Sequence, residues 1–245
     1  MKINYPKILI TGSSSGIGFF LAKEFSKKNY RVIINGRNKK KLSQALKKIK
    51  NSDSIEGDMS DLNEVKKNFD KIKKKYNSLD AIIANLGNSD FKKNNKDIDF
   101  SIKNNLMPAV HLVENAKLLL KKNSKIICIS SICGAEVIEG APLGYSVAKA
   151  ALNFYVKSVS RELSKSGISI NAILPGNIMF NGSTWQKKIK NDRSKTLNYI
   201  NNKVPSKKFG TPYDIFLICE MLCKNKSGFI NGSILKVDGG QTLSI

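Results

Sequence analysis

At 245 residues, with 41% hydrophobic and 8% aromatic side chains, the chain is sized for one α/β domain with a full core and does not force a second. No apolar stretch reaches the roughly 20 residues of a membrane-spanning helix, and "MKINYPKILITG" enters strand-like sequence at once, leaving no room for a signal peptide. The formal charge of +23 is almost wholly lysine, because only Arg31, Arg37, Arg161 and Arg193 are arginines; scattered as "NKKKL", "KIKKKY" and "SKKFG", without a zinc-finger, helix-turn-helix or aromatic-basic pattern, it describes solvated faces and not a nucleic-acid footprint.

The first predicted strand is "KILIT" (7–11). It runs into "TGSSSGIG", where Gly12, Gly16 and Gly18 mark a tight turn before the amphipathic helix "GFFLAKEFSKK". Missing Cβ atoms let a ligand approach the backbone, and the free N–H groups and positive dipole end of the helix suit a phosphate or pyrophosphate. The spacing is G-x-x-x-G-x-G, not the commoner G-x-G-x-x-G. The second strand, "RVIIN" (31–35), ends where an NAD site would place a carboxylate for the adenosine ribose. Gly36 stands there and Arg37 follows, which favours the 2′-phosphate of NADP over NAD.

Further strands are predicted at "DSIEGD" (53–58), "LDAIIAN" (79–85), "SKIICISS" (124–131), "ISINAIL" (168–174) and "SILKVD" (233–238). Between them lie helical patterns: "NEVKKNFDKIKKKY", a helix beginning near "NNLMPAVHLVENAKLLL", and the long "GYSVAKAALNFYVKSVSREL". This βαβα alternation predicts a Rossmann-type, doubly wound parallel sheet of about seven strands with helices on both faces, in a single domain spanning 1–245. The polar segment 177–210 reads as a substrate lid.

The chemistry-bearing pattern is "YSVAK", which puts Tyr145 and Lys149 four apart on one helix face. A phenol titrates near 10, too high for proton transfer at neutral pH; a neighbouring ammonium is expected to stabilise the phenolate and lower that value. Ser131 ends the buried strand "CISS" fourteen residues upstream, where its hydroxyl can hold a substrate oxygen beside the tyrosine. Tyr-x-x-x-Lys alone is weak; with the glycine turn and the serine it is specific. His111 is the only histidine, which excludes a serine–histidine or multi-histidine metal site within one chain and leaves it a structural place on a helix face. Cys128, Cys133, Cys219 and Cys223 show no disulfide or zinc spacing and read as reduced thiols of a cytoplasmic protein. No metal site is expected. Trp185, in the presumed lid, is open to packing against substrate or protein.

In order, "TGSSSGIG", "GDMSD", "ANLG", "NNL", "SSICG", "YSVAK", "NAILPGNI" and "VDGG" resemble the marks of the short-chain dehydrogenase/reductase family in its single-domain form, over essentially the whole chain. The resemblance implies an NADP(H)-dependent oxidoreductase that interconverts a secondary alcohol and a ketone. Gly12, Ser14, Ser15, Gly16, Ile17 and Gly18 would form the pyrophosphate turn, Asp58 would hydrogen-bond the adenine with Met59 beside it, and Asn85 and Gly87 would line the cofactor cleft. Ser131 would orient the carbonyl and Tyr145 would transfer the proton. Lys149 would hold the nicotinamide ribose while tuning Tyr145, and Asn105 would complete a water-linked relay. Pro175, Gly176 and Ile178 would shape the nicotinamide pocket.

Some positions depart from the family pattern. Ala84 and Leu86 alter the usual Asn-Asn-Ala-Gly, and Ser15 stands where many NADP-preferring members carry a basic residue. Phe180 replaces a cofactor-contacting threonine, and neither Ser183 nor Thr184 is assigned that contact. Two substrate classes stay open: 3-oxoacyl thioesters, as in the 3-oxoacyl-carrier-protein reductases whose acidic carrier suits a basic surface, and sugars or nucleotide-sugars under the lid. A different class of function is a non-catalytic NADP- or nucleic-acid-binding regulatory module, which would have no use for the set Asn105, Ser131, Tyr145 and Lys149. Apolar residues on more than one face of the helices near 104–120 and 144–163 predict a two-fold homo-oligomer, and the family resemblance implies a dimer or a tetramer.

Overall fold

The computed structural model describes residues 5–87 and 98–244; residues 1–4, 88–97 and 245, which the expected domain span of 1–245 includes, lie outside the described residues. Seven strands form one sheet: β1 Lys7–Ile10, β2 Arg31–Gly36, β3 Ser52–Glu56, β4 Leu79–Ala84, β5 Leu120–Ile129, β6 Ser169–Pro175 and β7 Ile234–Val237. Their order is β3-β2-β1-β4-β5-β6-β7 and every pairing is parallel. The inner strands are apolar on both faces because helices cover both faces. Leu9, Ile33, Ile82 and Ile126 point into one core with helices α3 (Leu62–Tyr76), α5 (Met107–Ala116) and α6 (Leu143–Ser164). Their neighbours Ile8, Ile10, Val32, Ile34 and Ile127 point into the other, under α1 (Gly16–Lys27), α2 (Lys39–Leu46) and α9 (Pro212–Lys224).

Sequential strands run outward from β1 to β3, and the chain then crosses back to place β4 on the other side of β1. That reversal splays the loops after β1 and β4 and opens a crevice at the carboxyl ends of the strands. The glycine turn therefore lies at the crevice, as its position after the first strand predicts.

One expectation is corrected. The helical pattern at 104–120 is broken: α4 (Ile98–Asn105) ends before Leu106, and α5 begins at Met107 with a proline in its first turn. Pro108 has no N–H to donate to the preceding turn and its ring crowds that carbonyl, so the helix is interrupted there. Leu120 at the end of the same pattern is the first residue of β5, paired with Leu79, where the ladder shifts register before resuming at Lys125. Segment 177–210 holds two helices, α7 (Thr184–Asn191) and α8 (Arg193–Lys203), started by the side chains of Ser183 and Asp192, which accept from Gln186 N and Lys195 N. Among the described residues no helix is long and apolar enough to cross a membrane.

Candidate active site

The crevice is a cleft of about 580 Å³ that runs from Arg37 and Asp58 at one end, past the glycine turn, to Ser131, Tyr145 and the helices α7 and α8 at the other. Gly12 and Gly16 both have left-handed backbones, at φ +59° and +60°. A Cβ on Gly12 would stand 2.8 Å from Asn85 O, so the turn and the end of β4 touch backbone to backbone. Ser15 is the N-cap of α1 in an extended conformation, yet makes no side-chain cap bond, and no acidic residue sits in the first turn. The first-turn N–H groups are thus left facing the cleft with the helix dipole behind them, a ready site for a phosphate.

Polar side chains hold this turn in shape, and sequence reasoning missed the buried Ser13 and Asn35 among them. Ser13 Oγ donates to Ile10 O at 2.6 Å and accepts from Asn35 N at 2.9 Å. Asn35, buried at the tip of β2, donates through Nδ2 to Ile55 O at 3.2 Å and Gly57 O at 3.1 Å, tying β2 to the loop after β3. Asn85 Nδ2 donates to Thr11 O and Gly12 O, both at 3.3 Å. A polar residue ending an otherwise apolar strand, as in "RVIIN", was the available signal for Asn35.

At the outer end, Gly36 leaves room for Ser14, whose Oγ would lie 3.0 Å from a Cβ there. Arg37 Nη1 donates to Asp58 Oδ2 at 3.2 Å, so two residues expected to meet different parts of a cofactor meet each other. Burial opposes the Asp58 charge, but hydrogen bonds from Ser60 N and Oγ and from Arg37 outweigh it and hold the carboxyl below its ordinary range. Arg37 is exposed and Asp58 half-buried, and such a surface pair costs little to exchange for another.

At the inner end, Ser131 caps a 3-10 turn, Ile132–Gly134, through a bond from Cys133 N to its Oγ at 3.2 Å. Gly134 lies so close to α6 that a Cβ would stand 2.5 Å from Lys149 C. That contact brings Ser131 against Tyr145, and the two hydroxyls hydrogen-bond. Lys149 is buried beside them; its Nζ donates to Ile129 O at 3.0 Å and stands 5.7 Å from the centre of the Tyr145 ring. The expected lowering of the tyrosine pKa is corrected here. Burial is the largest influence and pushes Tyr145 up to about 12, the Ser131 hydrogen bond offsetting only part of it. Burial also brings Lys149 down to about 8, against the opposing pull of the Cys128 and Cys133 thiols. At neutral pH the pair is therefore a neutral phenol beside a largely protonated ammonium, poised to give a proton rather than take one.

Gly12, Ser14, Ser15, Gly16, Ile17, Arg37, Asp58, Met59, Asn85, Gly87, Ser131, Tyr145, Lys149, Pro175, Gly176 and Ile178 all line the cleft. Gly18 is not among the lining residues: a Cβ there would stand 2.5 Å from both Asn85 Nδ2 and Gly12 O, so this glycine lets α1 pack close beneath the turn. Asn105 is also behind the wall, buried, with Oδ1 beside Gly87 as Lys149 Nζ is, at 3.4 and 3.3 Å from a Cβ placed on that glycine. Phe180 lies over Gly16, and Ser183 Oγ is spent on Gln186 N and Phe180 N. Trp185 stacks on Tyr199, centroids 5.4 Å apart, and packs on Phe209 while lining the cleft. His111 Nδ1 lies 3.3 Å from Met59 O, a structural contact from α5. All four cysteines are free, and among the described residues no cluster of histidine, cysteine or carboxylate side chains could hold a metal.

A doubly wound sheet, an uncapped glycine turn at its switch point and a serine–tyrosine–lysine cluster across the cleft define a nucleotide-binding protein with a proton-donating site. The family profile described as "Enoyl-(Acyl carrier protein) reductase" matches residues 12–242. The chain belongs to the short-chain dehydrogenase/reductase family. It is 33% identical over 243 residues to the 3-oxoacyl-[acyl-carrier-protein] reductase FabG of Rickettsia prowazekii (strain Madrid E), covering 96% of each chain. It is 28% identical to the FabG of Staphylococcus aureus (strain Mu50), over 95% of this chain and 96% of that one. Among solved structures, L-sorbose reductase from Gluconobacter frateurii complexed with NADPH and L-sorbose superposes with a TM-score of 0.87 at 23% identity, covering 100% and 99% of the two chains. At that identity it speaks for the fold.

Proposed function

We propose that the protein is an NADP(H)-dependent reductase that converts the ketone of a 3-oxoacyl thioester to a secondary alcohol. The observation that carries the reading is the joined Ser131–Tyr145 hydroxyl pair with Lys149 beneath it, facing a cleft whose other end suits a dinucleotide. The fit to NADP rests on this chain's own residues: left-handed Gly12 and Gly16, the uncapped start of α1, the carboxylate-free tip of β2 at Gly36, and Arg37 held by only an exposed ion pair. Gly12 to Ile17 would hold the pyrophosphate and Arg37 with Ser14 the 2′-phosphate. Asp58 and Met59 would border the adenine, and Asn85, Gly87, Pro175, Gly176 and Ile178 the nicotinamide half. When bound, the cofactor supplies the hydride.

Ser131 and Tyr145 would grip the substrate oxygen between their hydroxyls. Negative charge developing on that oxygen is met by the Tyr145 proton, which a pKa near 12 keeps in place until it is needed. The buried Lys149 ammonium offsets the charge left on the phenolate, and Asn105, buried beside Gly87 as Lys149 is, would continue a water-linked relay for reprotonation. A 3-oxoacyl thioester is favoured over a sugar because the Rickettsia relative at 33% identity bears that activity in its name, whereas the sorbose reductase likeness carries the fold. An acidic carrier also suits a chain of net charge +23 with Lys187 and Lys188 on the cleft rim.

The reading extends to setting and assembly. Four unpaired thiols accord with a reducing cytoplasm. Leu143, Val147 and Phe154 lie exposed on α6 beside Ile98 and Phe100 of α4, an apolar surface that suits a two-fold tetramer contact between helix pairs. The testing experiment is a panel of 3-oxoacyl thioesters and keto-sugars followed by NADPH absorbance, run on the wild type and Tyr145→Phe. Thioester reduction by the wild type, lost in the variant while NADPH still binds, is expected. Undiminished turnover in Tyr145→Phe refutes the mechanism, and turnover of keto-sugars alone refutes the substrate.

A further inference from the structure

The lid is poorly anchored by its core. α7 buries none of its residues, and α8 buries only Thr196 and Ile200. Its two ends are fixed at the base, where Met179 N donates to Gly210 O at 2.8 Å and Gly210 N to Asn177 O at 3.0 Å. Between those ends the helices lie over the cleft with Trp185 stacked on Tyr199, and little apolar area holds that pair down. A segment so placed takes its position from whatever polar ties reach it.

One such tie comes from the last residues of the chain. Asn177 Nδ2, buried at the foot of the lid, donates to Gln241 Oε1 at 2.6 Å. Gln241 Nε2 in turn donates to Tyr199 Oη at 3.2 Å, so a single amide bridges the fixed base of the lid to its moving body. Gln241 is itself held. Asp238 accepts from Gly240 N and from Thr242 N and Oγ1, at 3.0, 2.9 and 2.7 Å, closing a turn on either side of it. Beyond it, Leu243 N and Ser244 N donate to Glu136 Oε2 at 2.9 and 3.3 Å. Glu136 stands two residues before Ile138, on the opposite rim of the same cleft. The C-terminal segment of residues 238–244 thus runs from the lid to the turn that bears Glu136, with Gln241 at the point where it meets the lid.

We propose that Gln241 is the positioning residue of the substrate lid: through Asn177 and Tyr199 it sets where the Trp185–Tyr199 pair sits over the bound ketone substrate. The proposal rests on the reductase reading for its substrate, but the latch itself is a property of the free protein. Trp185 is the only tryptophan, so its fluorescence reports the lid without any substrate present. Gln241 makes no contact with the reacting atoms, and its loss should move substrate binding, not the chemical step.

The test measures acrylamide quenching of Trp185 and steady-state kinetics in Gln241→Leu, Tyr199→Phe, the double variant and Gln241→Glu. Gln241→Leu should raise the quenching constant and the KM for a 3-oxoacyl thioester about fivefold, the worth of one or two neutral hydrogen bonds, with kcat and the NADPH Kd held within about twofold. Tyr199→Phe keeps the ring stack and removes only the hydroxyl, so it should match Gln241→Leu, and the double variant should be no worse than either. Gln241→Glu, whose carboxylate accepts from both Asn177 and the Tyr199 hydroxyl, should restore both readouts. Wild-type quenching and KM in Gln241→Leu overturn the proposal, as does a parallel fall in kcat, KM and melting temperature that marks a purely structural role. A wild type that reduces no ketone would refute the functional reading alone, and the quenching series then decides the latch.

Discussion

Replacing Gly134 by alanine tests whether the contact between the 3-10 turn and α6 sets the geometry of the serine–tyrosine pair. The new Cβ would stand 2.5 Å from Lys149 C and 2.7 Å from Lys149 O and Ala150 N, all backbone atoms. Ordinary contact begins at 3.4 Å, so the two elements must part by 3.4 − 2.5 = 0.9 Å. α6 is a helix of 22 residues packed along its length and cannot yield at one peptide, so the short turn moves and takes Ser131 with it. Overpacking of this kind costs about 1–3 kcal/mol. In a chain of this size that lowers the melting temperature by roughly 2–12 °C at about 2–4 °C per kcal/mol.

The larger effect falls on turnover, since a displacement near 1 Å between Ser131 and Tyr145 costs on the order of a hundredfold in kcat. The control is Gly228→Ala, far from the cleft, where the left-handed φ of +67° makes alanine strained although only Lys125 Nζ comes within 4.0 Å. That variant should lose stability and keep kcat. Thermal unfolding and single-turnover reduction, measured on both, separate the two effects. Wild-type kcat in Gly134→Ala would show that the turn does not set the Ser131–Tyr145 alignment.

Arg37→Ala should narrow the preference for NADPH over NADH by about tenfold to a hundredfold, the worth of a charged hydrogen bond at about 1.5–3 kcal/mol, as read by titration of each cofactor. An unchanged ratio would show that Arg37 stays with Asp58. Lys149 titrates near 8 in the free protein, so kcat/KM for NADPH, which reports the free protein's groups, should fall as pH rises through about 8 and its ammonium is lost. Lys149→Arg should move that inflection out of range, and an inflection retained in the variant would assign it to another group. Light scattering at micromolar concentration should give a multiple of 27.1 kDa, lowered by Phe154→Glu on the exposed face of α6; a wild-type mass of 27.1 kDa refutes the helix-pair contact.

The strands and their parallel pairing were legible because fully buried parallel strands write themselves as short runs of isoleucine, leucine and valine between punctuating glycines. So was the residue set of the cleft, because Gly12, Gly16, Tyr145 and Lys149 are chemically conspicuous at their spacings. The helix break at Leu106 was masked by an apolar pattern that runs through it, although Pro108 was there to be read. What could not be read was the direction of the Tyr145 shift. Spacing shows that an ammonium is near, but the balance between its field and the cost of burying the phenolate depends on how many atoms surround the hydroxyl. Asn35 and Gln241 were hidden for a related reason: one amide bridging two distant groups leaves no periodicity.

The three parts of the cleft are held by different forces, and that division bears on what each can change. The phosphate end is backbone against backbone, with Gly12 on Asn85 and Gly18 on Gly12, so no side chain can be added there without moving a strand end. The proton-donating end is one face of α6 clamped to the 3-10 turn, and it is rigid as long as Gly134 has no Cβ. The lid has neither: it has two helices with almost no buried side chains, one aromatic stack and a polar bridge through Gln241. Substitutions in the lid therefore cost little folding energy while they reshape the wall that the substrate meets. A chain built in this way would be able to change its ketone without disturbing how it holds a dinucleotide or delivers a proton, since a shared fold does not fix the substrate.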